Sequence, residues 1–184
     1  MTTTMEGKFL IASPYMQDPN FKRSVVFIVK HDDEEALGFI VNQPTKMRLP
    51  DLLELPEENA ALVDCFVYRG GPVNGPLMAL HEIRLDTEDQ EIAGLAVSID
   101  KQLITELVTS REHRLRVFYG YAGWGPGQLE SELEQGGWLV TIATRDRIFA
   151  ETDNLWEQLV VEIGRDIMTT GIDARHLPDD PTCN

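Results

Sequence analysis

The chain has 184 residues, with 31 Asp and Glu against 16 Lys and Arg, a net charge of -15 and 42% hydrophobic residues. That make-up suits a single folded domain with its own core, and it excludes a disordered acidic tail, a miniprotein held by disulfides, and a protein that grips nucleic acid by neutralising phosphates. No apolar run approaches the roughly 18 residues of a membrane helix, and Met1 to Phe9 lacks the basic-then-apolar order of a secretory leader, so the expected setting is the cytoplasm, with no membrane partner.

Three β-branched and aromatic runs come first, Lys8 to Ser13, Ser24 to Lys30 and Leu37 to Val41, and turn-rich stretches separate these expected strands. The third strand should stop at Asn42-Gln-Pro44, because proline lacks a ladder donor and biases its neighbour away from helix. Leu49, Leu52, Leu53 and Leu55 suggest a short helix. Cys65 to Tyr68 and Leu77 to His81 read as strands flanking a shaped turn, Gly70 to Pro76. Gly94 to Ile99 is a further strand, after which Asp100 caps a helix, Lys101 to Ser110, with Leu103, Ile104, Leu107 and Val108 on one stripe. Leu115 to Tyr119 reads as a strand running into a glycine-rich loop, Gly120 to Leu129, followed by a short acidic helix, Gln128 to Glu134, and a strand, Trp138 to Ala143. Asn154 to Met168 carries apolar residues at helical spacing and is the longest helix; the tail 170–184 has loop composition and is expected to fray. No repeat or linker divides residues 1–184. Strands that follow one another without a helix between them favour an α+β fold over a doubly wound parallel sheet.

The charge is uneven: residues 1–48 hold 6 basic and 6 acidic side chains, 49–116 hold 6 and 13, and 117–184 hold 4 and 12. The basic groups of the neutral quarter either face an anionic ligand or are scattered over the surface. The most unusual segment is Gly120 to Leu129, where glycines at 120, 123, 125 and 127 lie among Tyr121, Trp124 and Pro126. Glycines let a backbone approach a ligand, and a helix starting just after them offers amides to a phosphate or carboxylate. A rigid loop whose aromatic rings plug the core has the same composition. The spacing matches neither a Walker loop nor a dinucleotide fingerprint. His31 lies beside Asp32 and His81 beside Glu82, so either imidazole is a candidate general base, while no metal-ligand spacing appears and no cofactor is implied. Cys65 and Cys183 are the two cysteines, and a disulfide between them is not expected in a reducing compartment.

In this order the pieces resemble the AlgH/YqgE family of small bacterial proteins. The resemblance rests on Gly7 to Pro14, Asp18 to Val25, His31, Gly38 to Pro44, Gly70 to Val73, Leu80-His81, and Gly120 to Leu129 with Glu132, Leu133 and Trp138. Gln43 stands where the family often has arginine. The resemblance implies a compact α+β domain in which helices surround a bent or barrel-like, mostly antiparallel or mixed sheet. It also brings the label of transcriptional regulator, which the acidity of this chain turns away from direct DNA contact and toward a protein partner or small ligand. The family's shared polar set falls on Arg23, Ser24, His31, Asn42 and His81, and its loops on Gly70, Gly71, Pro72, Tyr121, Gly123, Trp124, Gly125, Gly127 and Gln128.

The expected function is a binding or regulatory protein, monomeric or weakly self-associating, whose small-ligand or peptide site is built from the two glycine-proline segments. The alternative is a hydrolase or transferase with His31 or His81 as general base and Arg23 holding an anionic group. Convergence of Arg23, Asn42, a histidine and Gly120 to Leu129 on one cleft is the arrangement that a single site requires.

Overall fold

The computed structural model describes residues 4–55, 65–82, 94–150 and 152–171. Its elements run β1 (Lys8–Ala12), β2 (Val25–His31), β3 (Ala36–Ile40), β4 (Pro44–Arg48), α1 (Leu49–Leu53), β5 (Phe66–Arg69), β6 (Val73–Glu82) and β7 (Leu95–Ser98). They continue with α2 (Lys101–Ser110), β8 (Leu115–Trp124), α3 (Gln128–Glu134), β9 (Trp138–Ile142), α4 (Arg145–Ile148) and α5 (Leu155–Gly171). Among the described residues this makes one α+β fold on a mixed sheet of nine strands, ordered β4-β5-β8-β3-β2-β1-β9, with β6 and β7 reached through β8. The sheet does not close. The β5–β8 pair is parallel and the other pairs are antiparallel.

Both faces of β1 to β3 are covered, which is why these antiparallel strands read as nearly continuous apolar runs and do not alternate with polar residues. Phe9, Ile11, Val25, Phe27 and Phe39 point into a core that α4 and α5 close with Ile148, Leu155 and Leu159. Leu10, Ala12, Val26, Ile28 and Ile40 point the other way, under Trp124, Leu129 and Trp138. A third core lies beneath α1 and α2, where Leu49, Leu53, Ile104 and Val108 meet Val67, Ala79 and Val117. The three cores belong to a bent sheet because β8 is shared. Its Phe118 and Tyr119 pair with β5, its Ala122 to Trp124 pair with β3, and Gly120 turns between them at φ 72°.

Several elements differ from the sequence expectation, and the breakers explain how. Gly120 and Gly123 do not end the strand before them, so the anticipated loop from Gly120 to Trp124 is the second half of β8. Likewise β6 begins at Val73 and takes in Gly75 and Pro76; the irregularity in its register between Val73 and Leu77 spans the proline, where a ladder donor is missing. Pro44 stops β3, as expected, and also opens β4 at an end of the sheet path, where an absent N–H costs no pairing. Asp100 caps α2 as expected, its carboxylate accepting from Leu103 N at 2.8 Å. The tail from 172 to 184, and with it Cys183, lies outside the described residues.

Arg114 clasps the far ends of β6, β8 and α4. It donates to Glu82 Oε1 from Nη2 at 2.7 Å and to Asp146 Oδ1 from Nη1 at 2.7 Å. The hydrogen bond from the Arg114 side chain holds the Glu82 carboxyl below its ordinary 4.5. A carboxyl depressed in the folded state contributes stability that is complete above its unfolded value and is lost as the pH falls through the folded one. Glu82→Gln is therefore expected to lower the urea midpoint at pH 7, and the gap from the parent should shrink as the pH drops below about 4.5. A gap of equal size at pH 7 and pH 3 would refute the assignment.

Candidate functional site

Two backbones touch where the glycines of the loops lie. Gly70 accepts from Ile40 N at 2.7 Å and donates to Tyr119 O at 3.0 Å. A Cβ on Gly70 would collide with the carbonyl of Gly120, and one on Gly71 with the backbone of Tyr121 and Ala122. These glycines are needed because chain packs on chain. Outside this crossing a recess of about 240 Å³ remains, lined by Met47, Arg69, Gly71, Pro72, Tyr119 and Gly120 among others. Tyr121 is half-buried on the core closed by α5, its ring beside Gly75 and Gly123.

The other half of the expected loop is packed. Trp124 is buried, stacked on Phe21 at 5.9 Å and edge-on to Trp138 at 6.0 Å. Both indole N–H groups donate to the same oxygen, Glu132 Oε2, at 3.0 and 2.8 Å. Gly127 enters α3 at φ 70°, and Gln128 Oε1 takes the Gly125 amide at 3.2 Å. The anion expected at this helix start thus meets a turn that already satisfies itself through its own glutamine, ahead of a helix of only seven residues.

The histidines lie elsewhere. His31 Nδ1 accepts from Met5 N at 3.0 Å, which leaves the ring proton on Nε2, 2.9 Å from Glu130 Oε1. Its side chain is 5% exposed, so the ring braces β2 against α3 and the chain's start. His81 is buried between β6 and β7, with Nε2 2.9 Å from Ser98 Oγ and Nδ1 3.1 Å from Glu82 O. Each imidazole has both nitrogens engaged, and neither lies with Arg23. Ser24 is fully buried, and its Oγ has no partner among the described groups.

Arg23 and Asn42 do come together. Arg23 has φ 57°, an uncommon conformation for a residue with a side chain. Asn42 holds it there: Oδ1 accepts from Val25 N at 2.8 Å and Nδ2 donates to Arg23 O at 2.9 Å, so one amide staples the backbone on both sides of Ser24. The guanidinium projects over the Trp156 ring, 5.0 Å from its centre, and is ion-paired with Glu157. Trp156 is fixed in turn by donating to Ala12 O at 2.8 Å. Around this group is a recess of about 330 Å³ that also includes Lys22, Gln43, Pro44, Thr152 and Asp153. Thr152 is nine-tenths buried there. Arg69 borders the neighbouring recess, donating from its backbone to Gln43 O at 2.9 Å and from its side chain to Asn20 at 2.9 Å.

The expected set therefore divides into four places: Arg23 with Asn42, the Gly70 to Pro72 crossing with Gly120 and Tyr121, the α3 cluster with His31, Trp124 and Gln128, and His81 at the β6–β7 end. Sequence reasoning missed Trp156, Glu157 and Arg69 as site residues; Trp156 is one of the residues at apolar helical spacing in Asn154 to Met168, which points to a core role. It also missed Arg116, which is buried without a carboxylate, donates to Val41 O at 2.6 Å and Ala150 O at 2.8 Å, and lies 4.2 Å from the Tyr68 ring centre. Burial pushes its pKa down from the usual arginine range, though Arg116 stays charged. Among the described residues, no three His, Cys, Asp or Glu side chains gather as metal ligands would, and no helix is long and apolar enough to cross a membrane.

Comparison with known proteins places these residues in context. The family model described as AlgH-like matches residues 9–168. A UPF0301 protein of Streptomyces coelicolor is 33% identical, over 99% of this chain and 96% of its own. One from Ruegeria pomeroyi is 34% identical, over 94% of this chain and 98% of its own. The solution structure of the AlgH protein from Pseudomonas aeruginosa superposes with a TM-score of 0.73 at 28% identity, covering 96% of this chain and 100% of that one. The crystal structure of protein DIP2367 from Corynebacterium diphtheriae, at 24% identity and a TM-score of 0.69 over 88% of each chain, shares the fold.

Proposed function

We propose that this chain, which belongs to the AlgH-like family, is a cytoplasmic binding protein whose ligand site is the recess around Arg23 and whose ligand, a small molecule or a peptide, presents a carboxylate or phosphate. One observation carries the reading. Arg23 adopts a left-handed backbone that costs about 1–2 kcal/mol in a residue with a Cβ, and the Asn42 staple holds it there. The fold would be better served by glycine at this position. What arginine adds is a guanidinium set over an aromatic face beside Lys22, the Thr152 hydroxyl and the start of a 17-residue helix. Glu157 now occupies the guanidinium and stands where a ligand's anionic group would be. Any regulatory role then runs through this ligand or a protein partner, since a net charge of -15 repels DNA.

The test is a thermal-shift screen over metabolites and short peptides that carry phosphate or carboxylate. Ligands at about a hundred times Kd stabilise the folded state by about 2.7 kcal/mol. Hits should shift the parent protein and leave Arg23→Gly and Arg23→Ala unmoved; hits that shift all three alike would remove the site. Without ligand, Arg23→Gly should be more stable than Arg23→Ala by about 1 kcal/mol, because only glycine relieves the positive φ. Equal stability of the two variants would show that the backbone there carries no strain.

A further inference from the structure

A second surface stands apart from that recess. α1 and α2 roof one face of β5, β6 and β8, but the roof stops short: along β8 the row from Val117 continues to Tyr119, and along β6 the row from Ala79 continues to Leu77, its cross-strand partner. Tyr119 is 46% exposed in consequence. On one side of it a recess of about 380 Å³ is lined by Leu52, Pro76, Leu77, Ile99 and Ile104, and on the other lies the recess of about 240 Å³ with Met47 and Pro72. The two share Tyr119 and form one apolar groove, bordered by β4 at an end of the sheet path. Met47, Leu52, Ile99 and Leu103 are also exposed around it.

Its charge is opposite to that of the molecule. In a chain with 31 acidic and 16 basic residues, the charged side chains lining these recesses among the described residues are Arg69 and Lys101, and no described carboxylate lines them. Neither is in an ion pair among the described residues; the Arg69 side chain donates to the neutral amide of Asn20. Lys101 opens α2 directly after Asp100, whose carboxylate is taken up in capping the helix at Leu103 N. Lys46 and Arg48 on β4 are exposed nearby, and Asp51 and Glu54, next to Leu52 and Leu53 in sequence, line neither recess.

We propose that this groove docks a peptide segment of a partner protein, one with apolar side chains for the two recesses and carboxylates for Arg69 and Lys101. Charge complementarity selects that occupant. A second copy is the poorer fit, since an isologous contact would set this basic patch against itself between two chains of charge -15. Polar peptides lack the groups to fill the recesses, and basic ones would meet like charge.

The experiment is fluorescence anisotropy with three labelled peptides of equal length: alternating Asp with Phe and Leu, the same apolar residues alternating with Lys, and Asp alternating with Ser. The first should bind at least tenfold more tightly than the other two, and more weakly as salt rises. Arg69→Glu with Lys101→Glu should abolish that preference. Tyr119→Ala should weaken binding at least tenfold while leaving the melting temperature within a few degrees, and Arg23→Ala should change nothing. The proposal is overturned by equal binding of the Asp and Lys peptides, by indifference to the charge reversals, or by no binding at all, as when the chain's own residues fill the groove. Concentration-dependent dimerisation abolished by Tyr119→Ala would overturn it in favour of a second copy.

Discussion

Gly71→Ala should lose more than about 3 kcal/mol, enough to unfold a large share of a domain whose total stability is about 5–15 kcal/mol. The added methyl has nowhere to go. It would be driven into the backbone of Tyr121 and Ala122, and no rotamer of a neighbouring side chain can make room. If the chain shifted to accommodate it, the Gly70 bonds to Ile40 and Tyr119 would go too, leaving buried ladder groups unpaired where β3, β5 and β8 meet. Gly125 supplies the control, since a Cβ there meets nothing within 4 Å and its φ is not positive. Gly125→Ala should stay within about 0.5 kcal/mol of the parent. Urea unfolding followed by far-ultraviolet circular dichroism compares the two; equal midpoints would mean the close crossing does not exist.

Glu132→Ala should cost about 2–6 kcal/mol. The Trp124 and Trp138 side chains are buried and rely on one carboxylate oxygen for both indole N–H groups, so truncation strands two donors at about 1–3 kcal/mol each. Glu132→Gln keeps an acceptor for the indoles but turns an N–H toward the Gln128 amide that now donates to Oε1, and should cost about 1 kcal/mol once Gln128 rotates. Near-ultraviolet circular dichroism should report the loosened tryptophan pair in the alanine variant. An alanine variant as stable as the parent would mean that water or another group satisfies the indoles.

These two positions show what could be read from the sequence. The early strands, the capped helix after Asp100 and the long final helix were legible because local periodicity and one capping residue determine them. The course of Gly120 to Trp124 was not. Glycine reads as a break locally, whereas here Gly120 bends a strand that continues to Trp124, a choice set by β3, which lies more than eighty residues away in the chain. The pairing of Trp124 with Glu132 was also hidden, although the reading in which aromatic rings plug the core pointed toward it. For the recess, Arg23 and Asn42 came forward together through the family resemblance, whereas Trp156 was indistinguishable from its apolar neighbours. Only the tertiary contact with the Arg23 side chain separates them. His31 and His81 attracted attention by their chemistry, and the structure uses both as braces.

The shared strand leaves the molecule without a seam. A two-module protein joins its parts by a tether with slack, and either part can be cut away and refolded alone. Here the joint is itself load: severing the chain at Gly120 would leave the core beneath α1 and α2 on one side, but it would strip Ala122 to Trp124 from β3 and divide the residues of the other two cores between the fragments.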